Sequence, residues 1–298
     1  MFPTRAIVKM RAVWPMAVAA WVAVVAAPGT VFAQWPSYPA KAEPRGPDGK
    51  VDMNAPAPRT PDGHPDLSGI WDFRNTIGIE GDNAKAVDFT DTGTGLGPRQ
   101  AFNPRLSQFF NIGSTLKGGL PFRPLAAEVR ARRAAENNKD NPDAHCLPLG
   151  LMQLHTHPQP RKIIQMPEET VILYEAQAGI RQIFTDGRPL PPRDAQPWWY
   201  GYSVGHWEGE TLVVETTGFR DDVWLDVEGS PLTNAGKMTE RFHRFNYGHL
   251  EIDVTVDDPS AYTKPWTVKI RQVLMPDTEL IEFICNENDR SGPHLVGK

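Results

Sequence analysis

After Gly150 the chain breaks into short runs of alternating apolar and polar residues separated by turn-forming clusters, a pattern that a helical fold cannot absorb. The runs are RKIIQM, TVILYEA, IRQIFT, WYGYSVGHW, TLVVETTGF, TERFHRF, LEIDVTVDD, WTVKIRQVLM and LIEFICNEN. Pro167-Glu168-Glu169, Gln177-Ala178-Gly179, Asp186-Gly187, Asn246-Tyr247-Gly248 and Pro276-Asp277 punctuate them. Alternation is cleanest in LEIDVTVDD, where Leu250, Ile252, Val254 and Val256 share one face and Glu251, Asp253, Thr255 and Asp257 the other. An earlier run, DLSGIWDF, places Leu67, Gly69, Trp71 and Phe73 on one face. Together these predict an all-β domain of about nine or ten antiparallel strands, an up-and-down barrel or curled half-barrel.

The segments before these strands read differently. Arg5, Lys9 and Arg11 precede the apolar stretch Ala12 to Ala27, and Val31-Phe32-Ala33 offers a small-residue cleavage point. Residues 1–33 are therefore expected to be a secretory signal peptide, with an uncleaved N-terminal anchor as the alternative. The stretch contains Pro15 and falls short of the ~20 apolar residues of a membrane span, so no membrane span is predicted. Losing three basic residues with the leader moves the formal charge from -5 to -8. An acidic chain without a basic stripe is a poor nucleic-acid binder.

Residues 34–65 carry eight prolines, Pro36 to Pro65, which forbid regular helix or central strand and predict an extended arm. Order is expected from Asp66, in one domain over 66–298 with a loop and helix insertion at 74–150. The insertion holds one helix. Pro124 suits its first turn, LAAEVRARRAAENN its body, and Asn137, Asn138 and Pro142 its end. The cluster Arg130, Arg132 and Arg133 reads as a solvated face paired with Glu128 and Glu136, or as an anion site. Cys146 and Cys285, the two cysteines of the chain, read as one disulfide in an oxidising compartment or as two buried thiols.

Candidate site residues concentrate around 198–226. A turn at Glu208-Gly209 would pair His206 with Thr211, Val204 with Val213 and Tyr202 with Glu215, setting His206, Tyr202 and Glu215 on one face. With Glu175, these are candidates for acid and base work. Asp222 and Asp226, on a loop rich in acids and aromatics, are further candidates, and Asp226 could instead pair with Arg241. Trp199, Tyr202, Trp224, Tyr262 and Trp266, with Arg241, are candidate ligand contacts in an apolar or sugar-binding cleft. His155 and His157, two apart on a strand, would face one side and are weak metal candidates. No metal is predicted, and with no dinucleotide or phosphate-loop motif no cofactor is either.

Gly69-Ile70-Trp71 resembles the Gly-x-Trp of the first strand in lipocalin-type barrels. The ensemble PDLSGIW, RKIIQM with VILYEA, IFTDGRPLP, YSVGHWEGETLVVETTGF, WLD, TERF, DDPSAYTKPWT and IEFICNEN resembles a family of exported bacterial proteins of unassigned function. The resemblance covers nearly the whole chain after Pro65. It implies a β-rich domain that is periplasmic or secreted, and supplies no reaction. Where the family's hairpin motif often carries arginine this chain has His206, which favours the acidic and aromatic loop residues. The expected function is binding of a small apolar or aromatic molecule at the barrel mouth. The alternatives are a cofactor-independent lyase, isomerase or hydratase using Glu, Asp or His, and a cell-envelope interaction protein with a filled barrel.

Overall fold

The computed structural model describes residues 43–73 and 107–285. The expected signal peptide, the first part of the arm and residues 74–106 of the insertion lie outside the described residues.

Nine strands close into a barrel in sequence order: β1 (Gly69–Phe73), β2 (Arg161–Gln165), β3 (Glu169–Tyr174), β4 (Gly179–Phe184), β5 (Tyr202–Glu208), β6 (Thr211–Thr217), β7 (Lys237–Arg244), β8 (His249–Asp257) and β9 (Trp266–Leu274). Antiparallel pairing of β9 with β1, Trp71 opposite Leu274, completes the ring. A closed ring in which every neighbour is antiparallel needs an even number of strands, so nine strands force a parallel pair. That pair is β4 and β5, with Ile183 opposite Ser203. The connection 185–201, which contains Pro189, Pro191, Pro192 and Pro197, is long enough to bring the chain back for a parallel start.

Closure also explains why LIEFICNEN adds no strand within its described residues, because no edge is left to pair with. Residues 275–285 run instead as an irregular tail over the outside. Lys162 Nζ lies 2.9 Å from Glu279, the Ile281 amide donates to Glu175 at 3.1 Å, and Cys285 is disulfide-bonded to Cys146.

The hairpin turn is Gly209-Glu210, since Glu208 lies opposite Thr211. Gly209, at φ +59°, takes the first central position, where a type II′ turn needs glycine. The predicted pairing is corrected accordingly: His206 faces Val213, Val204 faces Glu215 and Tyr202 faces Thr217. Moving the turn by one residue preserves which residues share a face. That face, with Tyr202, Val204, His206, Val213 and Glu215, points out of the barrel, while Ser203, Gly205, Leu212, Val214 and Thr216 point in.

Both barrel ends are covered. At the end bearing the β5–β6 and β7–β8 turns, the Pro-rich arm packs across the opening. The Tyr247 and Gly248 amides donate to the Ala55 and Met53 carbonyls at 2.7 and 2.8 Å, Arg59 forks onto Glu210, and His64 stacks on Trp207 with ring centroids 4.5 Å apart. At the other end lie the short helix α1 (Ser107–Phe110), the helix α2 (Pro124–Ala135) and the short helix α3 (Leu151–Thr156). All six residues of α3 are buried, which makes it a plug. Inside the wall Trp71, Ile163, Ile172, Ile183, Phe242, Ile252, Val254, Val268 and Ile270 fill the core. No helix among the described residues is long and apolar enough to cross a membrane.

Candidate functional site

Six inward-facing polar side chains meet under the plug. Arg181 of β4 donates from Nη1 to Glu240 Oε1 of β7 at 3.0 Å, from Nε to Ser203 Oγ of β5 at 3.2 Å and from Nη2 to Thr216 Oγ1 of β6 at 3.1 Å. A second contact joins Arg181 Nη2 to Glu240 Oε2. From α3, His155 sets Nε2 2.6 Å from Glu240 Oε1, and its ring meets that of Tyr174 edge-on. Burial alone would raise the Glu240 carboxyl, but Arg181 and His155 outweigh it and hold it down at about 2. Burial lowers the His155 pKa against the pull of Glu240, so the ring is neutral, Nε2 donates to the carboxylate, and Nδ1 has no hydrogen-bond partner among the described residues. His155, Arg181, Ser203, Thr216 and Glu240 are at most 2% exposed, so this centre clamps plug to wall and meets no solvent.

Helix, not strand, carries His155, and His157 is its C-cap in extended backbone, because Gly150 opens α3 and Pro158 follows. A Cβ on Gly150 would sit 2.2 Å from the Trp224 carbonyl oxygen, so this approach of the plug to the loop 218–236 requires glycine. His157 sits edge-on to Phe109, and burial, with Arg161 nearby, pushes it down to about 4. Buried Arg161 donates to the carbonyls of His155, His157 and Gln159, terminating the plug. Among the described residues no group of three His, Cys, Asp or Glu side chains is placed to hold a metal ion.

The other predicted site residues are scattered over the outer wall, the core, the tail and a cleft. On the outer wall, His206 lies 3.3 Å from Glu208, Arg241 pairs with Glu208 at 2.9 Å, and Glu215 pairs with Lys237. Tyr202 shares this wall with Phe184 and Trp198 and accepts from Arg188 at 3.3 Å. In the core, Tyr262 and Trp266 pack edge to face, and the Tyr262 hydroxyl donates to the Pro231 carbonyl at 2.8 Å. Asp226 is fully buried and accepts from the Ile112 amide and from the Ser230 amide and hydroxyl at 3.0, 3.0 and 2.7 Å, so the expected Asp226–Arg241 pair does not form. Glu175, raised by burial, holds the tail.

Trp199, Asp222 and Trp224 come together. They line a cleft of about 250 Å³ beside the plugged end, closed on its other side by Arg132, Arg133, Glu136, Asp140, Pro142 and Leu147. Helix α2 is anchored at its start by the Arg123 amide on the Ala261 carbonyl, and along its length by Arg130 on Glu228. Arg133 Nη1 donates to the Gly229 carbonyl at 2.8 Å, and its guanidinium stacks 4.4 Å over the Trp224 ring. Gly229, at φ +85°, is required there, because a Cβ would lie 2.9 Å from Arg133 Cδ. Across the cleft Arg220 stacks 4.3 Å over Trp199 and forks onto Asp222 with two contacts of 2.9 Å, which lowers the Asp222 pKa. Burial, with Arg132 beside it, lowers Arg133 to about 10.

The sequence leaves two readings of Arg130, Arg132 and Arg133, a solvated face paired with Glu128 and Glu136 or an anion site. In the structure Glu136 pairs with Lys139 at 3.1 Å, Arg130 pairs with Glu228 and Arg133 stacks on Trp224, while Arg132 is exposed, as a solvated face requires. Arg181 was missed, although a charged residue at an inward position of IRQIFT is a signal that strict alternation exposes. Compared with protein-family models, curated proteins and solved structures, the chain finds no match, so the chemistry of the cleft rests on its own residues.

Proposed function

We propose that this is an exported protein that binds a small molecule in the cleft between α2 and the Trp199–Trp224 segment, with the packed barrel as its rigid frame. The convergence of Trp199, Trp224 and Asp222 with two arginines in one cavity of about 250 Å³ carries this reading. Ligand sites combine apolar and aromatic walls with a few fixed polar groups, and this volume lies just below the usual range, which suits a single-ring ligand. The polar groups are held in place before any ligand arrives, Arg133 by Gly229 and Trp224 and Asp222 by Arg220, so little side-chain entropy remains to be lost on binding. Siting the pocket outside the barrel fits an interior that side chains already fill.

Mass spectrometry of small molecules that co-purify with the protein, joined to tryptophan fluorescence, tests the proposal. A defined ligand whose binding alters the fluorescence, and is weakened when Trp199 becomes Ala, supports it. A second reading, a cell-envelope interaction protein, draws support from the filled barrel and from the exposed Ile281, Phe283 and Ile284 of the tail. Absence of any co-purifying ligand, with fluorescence indifferent to a panel of ring compounds, favours that reading.

A further inference from the structure

The charge balance of the cleft points to the class of its ligand, an inference that rests on the cleft being the binding site. Five charged side chains line it. Glu136 is matched by Lys139 at 3.1 Å and Asp222 by Arg220 at 2.9 Å, each with a partner outside the lining set. That leaves Arg132 and Arg133 facing Asp140. Among the described residues neither arginine has a carboxylate within ion-pairing distance, whereas Arg130 on the same helix has Glu228. Arg133 is half-buried, with one guanidinium face on Trp224 and one N–H on the Gly229 carbonyl. A half-buried guanidinium beside a second one, with a single carboxylate to offset both, is a site with one positive charge in excess.

We infer that the cleft takes a small aromatic carboxylate. Its oxyanion sits between Arg132 and Arg133, and its ring lies against the apolar lining of Trp199, Pro142 and Leu147. Guanidinium forks match the planar carboxylate geometrically, and the apolar half of the lining excludes a bare inorganic anion as the preferred occupant.

The experiment titrates the full-length protein with benzoate, with benzyl alcohol as the neutral counterpart of similar size, and with sulfate, following tryptophan fluorescence and confirming by calorimetry. Wild type, Arg132→Gln and Trp199→Phe are compared. Arg132 is exposed, so its replacement leaves the fold intact, and circular dichroism checks this. Saturable benzoate binding is expected, about tenfold weaker in Arg132→Gln, as the loss of one charge-assisted hydrogen bond predicts. Benzyl alcohol should bind more weakly and be indifferent to that substitution, and sulfate should bind more weakly than benzoate. Equal binding of benzoate and benzyl alcohol, weakened by Trp199→Phe and unaffected by Arg132→Gln, overturns the anion inference while the cleft reading stands. Sulfate binding as tightly as benzoate overturns the aromatic part. No saturable response to any of the three overturns both the inference and the cleft reading.

Discussion

His155 Nε2 and Glu240 Oε1 lie 2.6 Å apart inside the barrel, one on the plug helix and the other on β7, both sealed from solvent. This contact joins a short helix outside the sheet to the middle of the wall. It makes plug and barrel one cooperative unit, and the consequences are measurable.

Replacing Glu240 with Gln leaves Arg181 buried without its counter-charge. Breaking a buried pair from one side costs roughly 3–5 kcal/mol, so the urea midpoint of Glu240→Gln should fall steeply. Glu215→Gln removes a carboxylate on the outer wall and should change stability by about 0.5 kcal/mol or less. Comparable losses in the two variants would show that the interior centre does not bind the plug.

Acid should destabilise the protein in two stages. The folded-state pKa of His155 is lowered by burial and that of His157 to about 4, so below the ordinary histidine value of about 6.5 the unfolded chain takes up protons that the folded chain does not. Stability therefore declines as pH falls from about 7. A second loss begins below the ordinary glutamate range, as Glu240 is protonated toward its folded value of about 2. Asp226, raised by burial, acts with the opposite sign in that carboxylate range, which leaves the histidine stage the cleaner one to measure. Thermal melts between pH 7 and 5 should show a smaller decline in His155→Gln than in wild type.

Gly150→Ala should destabilise by about 1–3 kcal/mol, because its Cβ would press on the Trp224 backbone at 2.2 Å and force the plug and loop apart. Since Trp224 also lines the cleft, the emission maximum of the tryptophans should shift in the same variant. Unchanged stability and spectrum would mean that the approach of Gly150 to Trp224 is looser than the structure has it.

Cys146 and Cys285 lie 139 residues apart, so their bond constrains a long stretch of the unfolded chain. Cys285→Ser should cost about 2–5 kcal/mol and loosen the tail from Glu175. Limited proteolysis should then cut after residue 275 under conditions in which the oxidised protein resists, and equal resistance of both forms would count against the tether.

The period-two pattern made the wall legible. In β8, Leu250, Ile252, Val254 and Val256 face inward as the alternation demands, and the helix expected through LAAEVRARRAAENN forms over Pro124–Ala135, with Pro124 in its first turn. The outward placement of His206, Tyr202 and Glu215 was less legible. Alternation says that residues share a face, but not which face is the core when both carry large side chains.

Composition and alternation thus determined an all-β barrel and which residues of a strand share a face, because side-chain direction along a strand is a local property of the backbone. Tertiary structure decided the rest. Ring closure with an odd number of strands set the parallel β4–β5 pair and denied the described part of LIEFICNEN a place in the sheet. Long-range packing drew His155 to Glu240 across 85 residues and Arg133 to Gly229 across 96. Such pairings depend on where distant segments meet, and no local pattern of residues records that.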